Sequence, residues 1–382
     1  MKKILILISI FLLTGCYNYQ ELNNLAIVKG ASIDYQNNNY IVNYAISNAN
    51  QNKNGEFSNK TALLEGKGVT ISDAIAEMNL SSPKELYIGH MVVLIVSEEV
   101  AKNGINNVAD FFFRNPMSKK TFQIIVSKNC EAKDALKILS PLSTFPAENI
   151  AKNITSENSS FVVNTTLLSF LKSIKDPGIE PIAPSITIVG NKKSGEKEDN
   201  LTSTSIDNYV KIEPLAIFKD DIFIKWADED FSKGLTILYN QSAAIKITSE
   251  CPNGNIVFSL NSLKIDKNFK IDNKINFKIN IKANTEIEEM SCNYDLKNQN
   301  NLKEIEKILV NKIKNILNKT INEIKETKID SIGLGFYIYQ NDYQNFLRIK
   351  DNYINHLDVE FEIDPKLLSL ENSNEGTVQI NE

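Results

Sequence analysis

The chain has 382 residues, 42% hydrophobic and 23% charged, with a formal net charge of −5. That balance belongs to a folded chain of two or three domains rather than a disordered or multispanning one. Only two of the 42 basic residues are Arg (Arg114 and Arg348), there are two His (His90 and His356), and the four Cys form no C-x-x-C pair. This argues against a nucleic-acid binder, which would carry a basic face, and against a zinc site of the usual ligand spacing.

The first sixteen residues set the compartment. Met1-Lys2-Lys3 is a charged n-region, and Ile4 to Leu13 is an apolar h-region of ten residues. A membrane span needs about 20. Leu13-Thr14-Gly15-Cys16 follows at once, in the order of a bacterial lipobox. The expectation is a cleaved signal peptide, residues 1–15, with diacylglycerol on the Cys16 sulfur and an acyl group on its new amino terminus. The mature chain would keep 367 residues and a side-chain charge of −7, because Lys2 and Lys3 leave with the signal. Two or more acyl chains give stable anchoring, at about 0.8 kcal/mol per buried CH₂.

Along the mature chain, Leu25–Val28 and Tyr40–Ile46 read as strands joined by the polar turn Gln36–Asn39. Residues 48–60 read as a polar loop. Ser72 offers an N-cap for a helix over Asp73–Leu80. Leu86–Val96 is a mostly apolar strand, and Ser97-Glu98-Glu99 caps a helix that Gly104 can end. Val108–Arg114 is a helical turn or two, Thr121–Ser127 a strand, and Ala132–Leu139 a helix. Residues 147–175 have a helical pattern, stopped by Pro177, Pro181 and Pro184. The polar stretch 191–209 is the expected linker between an N-terminal domain, 16–190, and a C-terminal domain, 210–371. The latter can be divided again at about 240/241.

Beyond it, Val210–Phe218 and Ile222–Trp226 flank Lys219-Asp220-Asp221 as a hairpin, and Ser232–Leu238 is a short helix. Strands follow at Ala244–Ile247, Ile256–Phe258 and Ile275–Ile281. Leu302–Lys325 is the clearest helix, with apolar residues at three- and four-residue spacing. Phe336–Tyr339 after Gly333 and Gly335 reads as a strand, Tyr343–Asn352 as a helix and Leu357–Ile363 as a strand. Residues 372–382 form a polar tail. The fold class is therefore α+β: mixed sheets flanked by helices, with one long amphipathic helix in the C-terminal half.

No catalytic constellation emerges. His90 and His356 have no local group to orient them, so both read as structural or surface residues. Asp220-Asp221 lacks the spaced oxygen ligands of a calcium loop. Gly333-Leu334-Gly335 follows a helix, whereas a dinucleotide-binding loop follows a strand. Neither a metal nor a cofactor is expected. Cys251 and Cys292 lie in a compartment that permits a disulfide, but sequence does not show whether they meet. Cys130 then reads as a small buried residue.

Several segments, taken in order, resemble the Ger(x)C family of spore germination lipoproteins. They are Cys16 with Glu21-Leu22 and Leu25–Val28; Ile33-Asp34; Gly89-His90 and Ser97-Glu98-Glu99; and Asp110-Phe111-Phe112-Phe113-Arg114-Asn115-Pro116. Leu215–Asp221 with Trp226, and Asp330, Gly333-Leu334-Gly335, Phe346 and Tyr353, complete the set. Tyr17-Asn18 stands where the family usually has Trp-Asp, and Phe346 and Tyr353 stand at two Trp positions.

The resemblance implies a non-enzymatic C subunit of a nutrient germinant receptor. Its fold would be mixed α and β in three domains. Its partners would be integral-membrane A and B subunits, and its place the outer face of the spore inner membrane, held by acylated Cys16. An extracytoplasmic hydrolase, which would need a nucleophile or metal constellation, is a third reading, and a solute-binding lipoprotein of a transporter is the second. It would need two similar lobes of strand–helix units around a ligand cleft.

Overall fold

The computed structural model describes residues 21–51, 57–143, 145–156, 160–241 and 244–368. The expected signal peptide, Cys16, Tyr17-Asn18 and the 372–382 tail lie outside the described residues.

The first sheet starts with a long antiparallel pair, β1 (Leu25–Gln36) and β2 (Asn39–Gln51). Asn37 and Asn38, both at positive φ, make the tight turn, a conformation that Asn tolerates. β3 (Phe57–Gly68) pairs with β2, so the expected loop at 48–60 is largely strand. α1 (Ile71–Leu80) follows. Its cap is Thr70 rather than Ser72: the Thr70 hydroxyl accepts from the Asp73 amide, and the Asp73 carboxylate accepts from the Thr70 amide.

The predicted strand Leu86–Val96 is broken. β4 (Glu85–Tyr87) pairs with the start of β1, a 3₁₀ turn covers Ile88–His90, and β5 (Val93–Ser97) pairs with β1 beyond a register shift at Val28/Gly30. That shift is a bulge at Lys29 of β1 against β2, on the other edge of the strand.

α2 (Glu98–Lys102) is capped by the Ser97 hydroxyl, and α3 (Asn106–Arg114) follows Gly104, which has positive φ. β6 (Gln123–Ser127) continues the sheet, then the short α4 (Ala132–Ala135). The 147–175 pattern resolves into two helices, α5 (Pro146–Thr155) and α6 (Leu167–Lys175). Thr166 starts the second with a capping box to Ser169. Between the helices, Val162 and Val163 are buried in different apolar clusters.

β7 (Ile182–Val189) leads into residues 191–209, which differ from the expected linker. They hold α7 (Lys192–Gly195) and α8 (Asp199–Thr202). The buried Asn200 amide donates to the carbonyls of Leu139 (2.7 Å) and Asn208 (3.0 Å), which ties the segment down. β8 (Tyr209–Lys219) returns antiparallel to β7, and β9 (Ile222–Trp226) closes the expected hairpin. One sheet, ordered β3-β2-β1-β5-β6-β7-β8-β9 with β4 alongside β1, thus runs across the expected boundary.

Helix α9 (Glu229–Tyr239) leads to the second sheet. β10 (Ala244–Cys251), β11 (Gly254–Ile271) and β12 (Ile275–Met290) form an antiparallel meander. α10 (Gln299–Thr327) crosses one face and buries Ile305, Leu309, Ile313, Ile316, Leu317, Ile321 and Ile324. The predicted strand at Phe336–Tyr339 is instead α11 (Leu334–Asn341). After α12 (Tyr343–Ile349), β13 (Leu357–Leu367) lies parallel to β12. The resemblance implied three domains; the strands make two sheets.

The apolar interior has three clusters. One lies on each face of the first sheet, and the third fills the space between the second sheet, α9 and α10. The third also takes Ile182, Leu215 and Ile217 from β7 and β8, so the two sheets share a core. Burying one Leu or Ile side chain contributes about 1.5–3 kcal/mol.

Candidate functional site

The predicted motif residues meet most densely where the two sheets join. After α10 the chain turns at Lys328, which has left-handed backbone, and brings Asp330 inside at 1% exposure. Oδ1 of Asp330 accepts from the Gly333 amide at 2.8 Å and the Ile332 amide at 3.3 Å. Oδ2 accepts from the Gly335 amide at 2.8 Å and from the Tyr353 hydroxyl at 2.8 Å. Burial raises the Asp330 carboxyl above its usual range, and these donors pull it back. Burial also raises the Tyr353 hydroxyl, and the Asp330 charge beside it adds to that.

The other wall is the turn before β7. The Glu180 amide donates to the Asp330 carbonyl at 2.9 Å, and the Phe336 amide donates to the Gly178 carbonyl at 2.8 Å. Two glycines allow this approach. A Cβ on Gly178, which has φ +78°, would stand 2.6 Å from the Gly335 carbonyl carbon; one on Gly335 would stand 2.6 Å from the Tyr353 ring. Tyr353 also lies 3.5 Å from the Gly178 carbonyl, but its single proton is taken by Asp330 at the shorter distance.

The junction continues outward. Glu180 accepts from the Asp220 amide at 2.6 Å, and burial raises its carboxyl above the usual range. Asp221 accepts from the Asn106 amide at 3.0 Å and so starts α3. The Asp221 carboxylate therefore holds backbone, and the Asp220 backbone is held by Glu180. Four donors occupy both Asp330 oxygens, so this carboxylate holds the turn after α10 in the shape whose backbone meets the turn before β7, and it keeps no lone pair turned to a substrate.

A second buried carboxylate does similar work in the first sheet. Asp34 on β1 accepts from the Ala132 and Lys133 amides at 2.8 and 3.1 Å, at the start of α4. Burial raises its carboxyl to about 6.

The remaining predicted sites stand apart. Cys251 and Cys292 form a disulfide, Cα–Cα 6.1 Å, between the end of β10 and the segment after β12. Cys130 is half-buried, and burial pushes its thiol up to about 11, which leaves little thiolate at neutral pH. His90 lies edge-on to Tyr87, ring centroids 5.7 Å apart, while His356 is exposed in the 3₁₀ turn Tyr353–His356. Among the described residues no three His, Cys, Asp or Glu come together as a metal site. No described helix is long and apolar enough to cross a membrane.

The sequence profile of the Spore germination protein N-terminal domain matches residues 18–188. That of the Spore germination B3/GerAC-like C-terminal domain matches residues 213–369. The chain belongs to the Ger(x)C family of spore germination proteins. It is similar to Spore germination protein KC of Bacillus subtilis, 25% identical over 95% of this chain and 93% of the relative. Spore germination protein GerQC of Bacillus cereus is 22% identical over 86% and 87%. The crystal structure of the GerBC protein shares the fold, with a TM-score of 0.56 over 92% of this chain and all of that one, at 16% identity.

The Ger(x)C segments quoted from sequence now have physical roles. Asp110 pairs with Arg114 one turn on, and Lys120 donates to the Phe112 and Asn115 carbonyls, capping the end of α3. Phe112 is buried against Phe122. Phe346 and Tyr353, at the family's Trp positions, are both buried. Reading along the sequence missed Asp34 and Asp330 as helix- and turn-holding carboxylates. Both lie within the quoted motifs, but their amide donors are distant in sequence or in an unrecognised turn.

Proposed function

We propose that this chain is the lipid-anchored C subunit of a nutrient germinant receptor, working with integral-membrane A and B partners on the outer face of the spore inner membrane. The observation that carries the reading is the pair of spore germination profiles that follow one another along most of the chain. The lipobox order at Cys16 and the ten-residue h-region support the anchor. The body would act by docking and stabilising the assembled receptor rather than by catalysis. The solute-binding alternative expected two similar lobes; a long mixed sheet beside a four-stranded one does not supply them.

The test is germination of spores that lack this chain, read as dipicolinate release. Nutrients and a nutrient-independent chemical trigger are compared side by side. The expected result is a defect confined to nutrients, restored by the intact gene and poorly by Cys16→Ala. Normal release with every nutrient, in a strain stripped of related receptors, would sink the assignment.

A further inference from the structure

β1, β4, β5 and β6 run parallel, so all four begin at one end of the first sheet. The described chain enters there: Glu21 leads through the 3₁₀ turn Leu22–Asn24 into β1. Cys16 lies five residues before Glu21. A chain spans at most about 3.6 Å per residue, so an acyl anchor on Cys16 holds Glu21 within about 18 Å of the bilayer. Of the two ends of the sheet, this is the one kept at the membrane.

The same end exposes large apolar side chains. Leu80, the last residue of α1, is 89% exposed, and the chain beyond it runs straight into β4, which pairs with the start of β1 at Leu25. Phe113, Met117 and Leu168 are exposed as well. Lys120, just before β6, gathers this second group: its Nζ stands 5.7 Å above the Phe113 ring, and its carbonyl accepts from the Leu168 amide at 3.0 Å. Exposed apolar groups rimmed by charge mark a surface that meets a partner or a membrane.

The rim is basic. Lys84, Lys119 and Lys152 are exposed at this end and form no ion pair among the described residues. Lys119 and Lys152 stand with His90 around a cavity of about 440 Å³, room enough to seat a headgroup. The helices explain the sign. α3 and α5 finish here, with Arg114 and Lys152 in their last turns, while α1 and α2 start at the opposite end, with Asp73, Glu98 and Glu99 in their first turns. At that far end Lys102, Lys128 and Lys133 each face a carboxylate. A body that is acidic as a whole thus turns a basic, partly apolar end toward its anchor.

We infer that this end of the first sheet rests on an anionic lipid bilayer, with Leu80, Phe113, Met117 and Leu168 at the boundary of headgroups and acyl chains and Lys84, Lys119 and Lys152 on lipid phosphates. The inference rests on the acylated Cys16 of the proposed function and adds a fixed orientation to it. The acyl chains hold the protein at the membrane, and the sheet end sets which way the body stands.

The test uses the acylated mature chain in phosphatidylcholine vesicles, with and without phosphatidylglycerol, and with brominated acyl chains as quenchers. Leu80→Trp and Phe113→Trp place probes at the near end, and Val69→Trp, at a 70% exposed position, places one at the far end. Trp226, the one tryptophan of the chain, sets the baseline. With phosphatidylglycerol present, the probes at 80 and 113 should shift to the blue and be quenched, and the probe at 69 should do neither. Lys84→Gln, Lys119→Gln and Lys152→Gln together should abolish that quenching while the chain still floats with the vesicles. In a Cys16→Ser chain the same three changes should weaken binding to phosphatidylglycerol vesicles on the order of 100-fold. Flotation without quenching at 80 and 113, or with equal quenching at 69, overturns the orientation and leaves the receptor reading standing. Quenching that survives the three lysine changes overturns it too. If the acylated chain does not float, anchor and orientation fall together.

Discussion

The two sheets solve the same problem differently. β5 and β6 in the first sheet are buried at all five positions each, because helices cover both faces. β12 in the second alternates buried and exposed positions from Ile275 to Ala283, because α10 covers one face and water the other. The solvent face is made of charge: Lys278 pairs with Glu362 across the parallel β12–β13 ladder. A two-sided sheet confines polar residues of these central strands to their ends, at Ser97, Gln123 and Ser127. A one-sided sheet gives half of each strand to solubility.

Breaking the contact between the sheets should have the largest effect. Asp330→Ala orphans three buried amides and a hydroxyl, so it should cost about 5 kcal/mol and separate the unfolding of the two sheets into two transitions. Chemical denaturation followed by two probes would show it; a single, unshifted transition would contradict the latch. Next comes the second sheet's own staple. The Cys251–Cys292 bridge spans 41 residues, and Cys292→Ser should cost up to about 4 kcal/mol, felt only by that sheet. Hydrogen exchange should then rise in β10–β12 and stay unchanged in β5 and β6.

An alanine scan sharpens the contrast itself. On β5, Leu94→Ala and Ile95→Ala, adjacent residues on opposite faces, should each cost about 3 kcal/mol. On β12, Ile279→Ala should cost as much, while Lys278→Ala should stay within about 0.5 kcal/mol. Equal costs at Ile279 and Lys278 would refute the one-sided sheet.

The smallest effect is a pH dependence in the first sheet. Folding raises the Asp34 carboxyl from 3.8 to about 6 through burial, so the folded state binds a proton more readily than the unfolded. That contribution is fully present below about pH 4 and is lost as pH rises through 6. Stability should fall over that window, and Asp34→Asn should flatten the change. A slope of the opposite sign would rule out burial as the dominant cause.

Much of this was legible along the chain, for local reasons. The α10 seam showed itself because eight apolar residues keep helical spacing, and the β8–β9 hairpin because a polar turn separates two apolar runs. β3 was hidden: Ser58-Asn59-Lys60-Thr61 carries no apolar alternation, and only pairing with β2 makes it a strand. The aromatic run Phe336–Tyr339 suggested a strand, but Asp330 holds the preceding glycine turn, and Gly333 at φ +71° starts a helix instead. Tertiary pairing overrode local preference in both places. The Asp330 junction was out of reach as a site, since Gly178 and Tyr353 stand 175 residues apart.

The crossing of the first sheet over the boundary between the two family profiles bears on how this chain can be divided. A fragment ended at residue 188 would stop inside β7 and lose β8, which covers its free side. It would present a raw, apolar strand edge to other copies of itself. A fragment begun at residue 213 would start inside β8 and carry two homeless strands, β8 and β9, with Ala216, Phe218 and Phe223 uncovered. Such halves should aggregate when made alone and rescue each other when made together. A cut after Trp226 instead keeps every strand of the first sheet; besides the shared apolar core and the latch, it severs bonds such as the Ala227 amide to the Leu215 carbonyl and the Leu215 amide to the Ser232 hydroxyl.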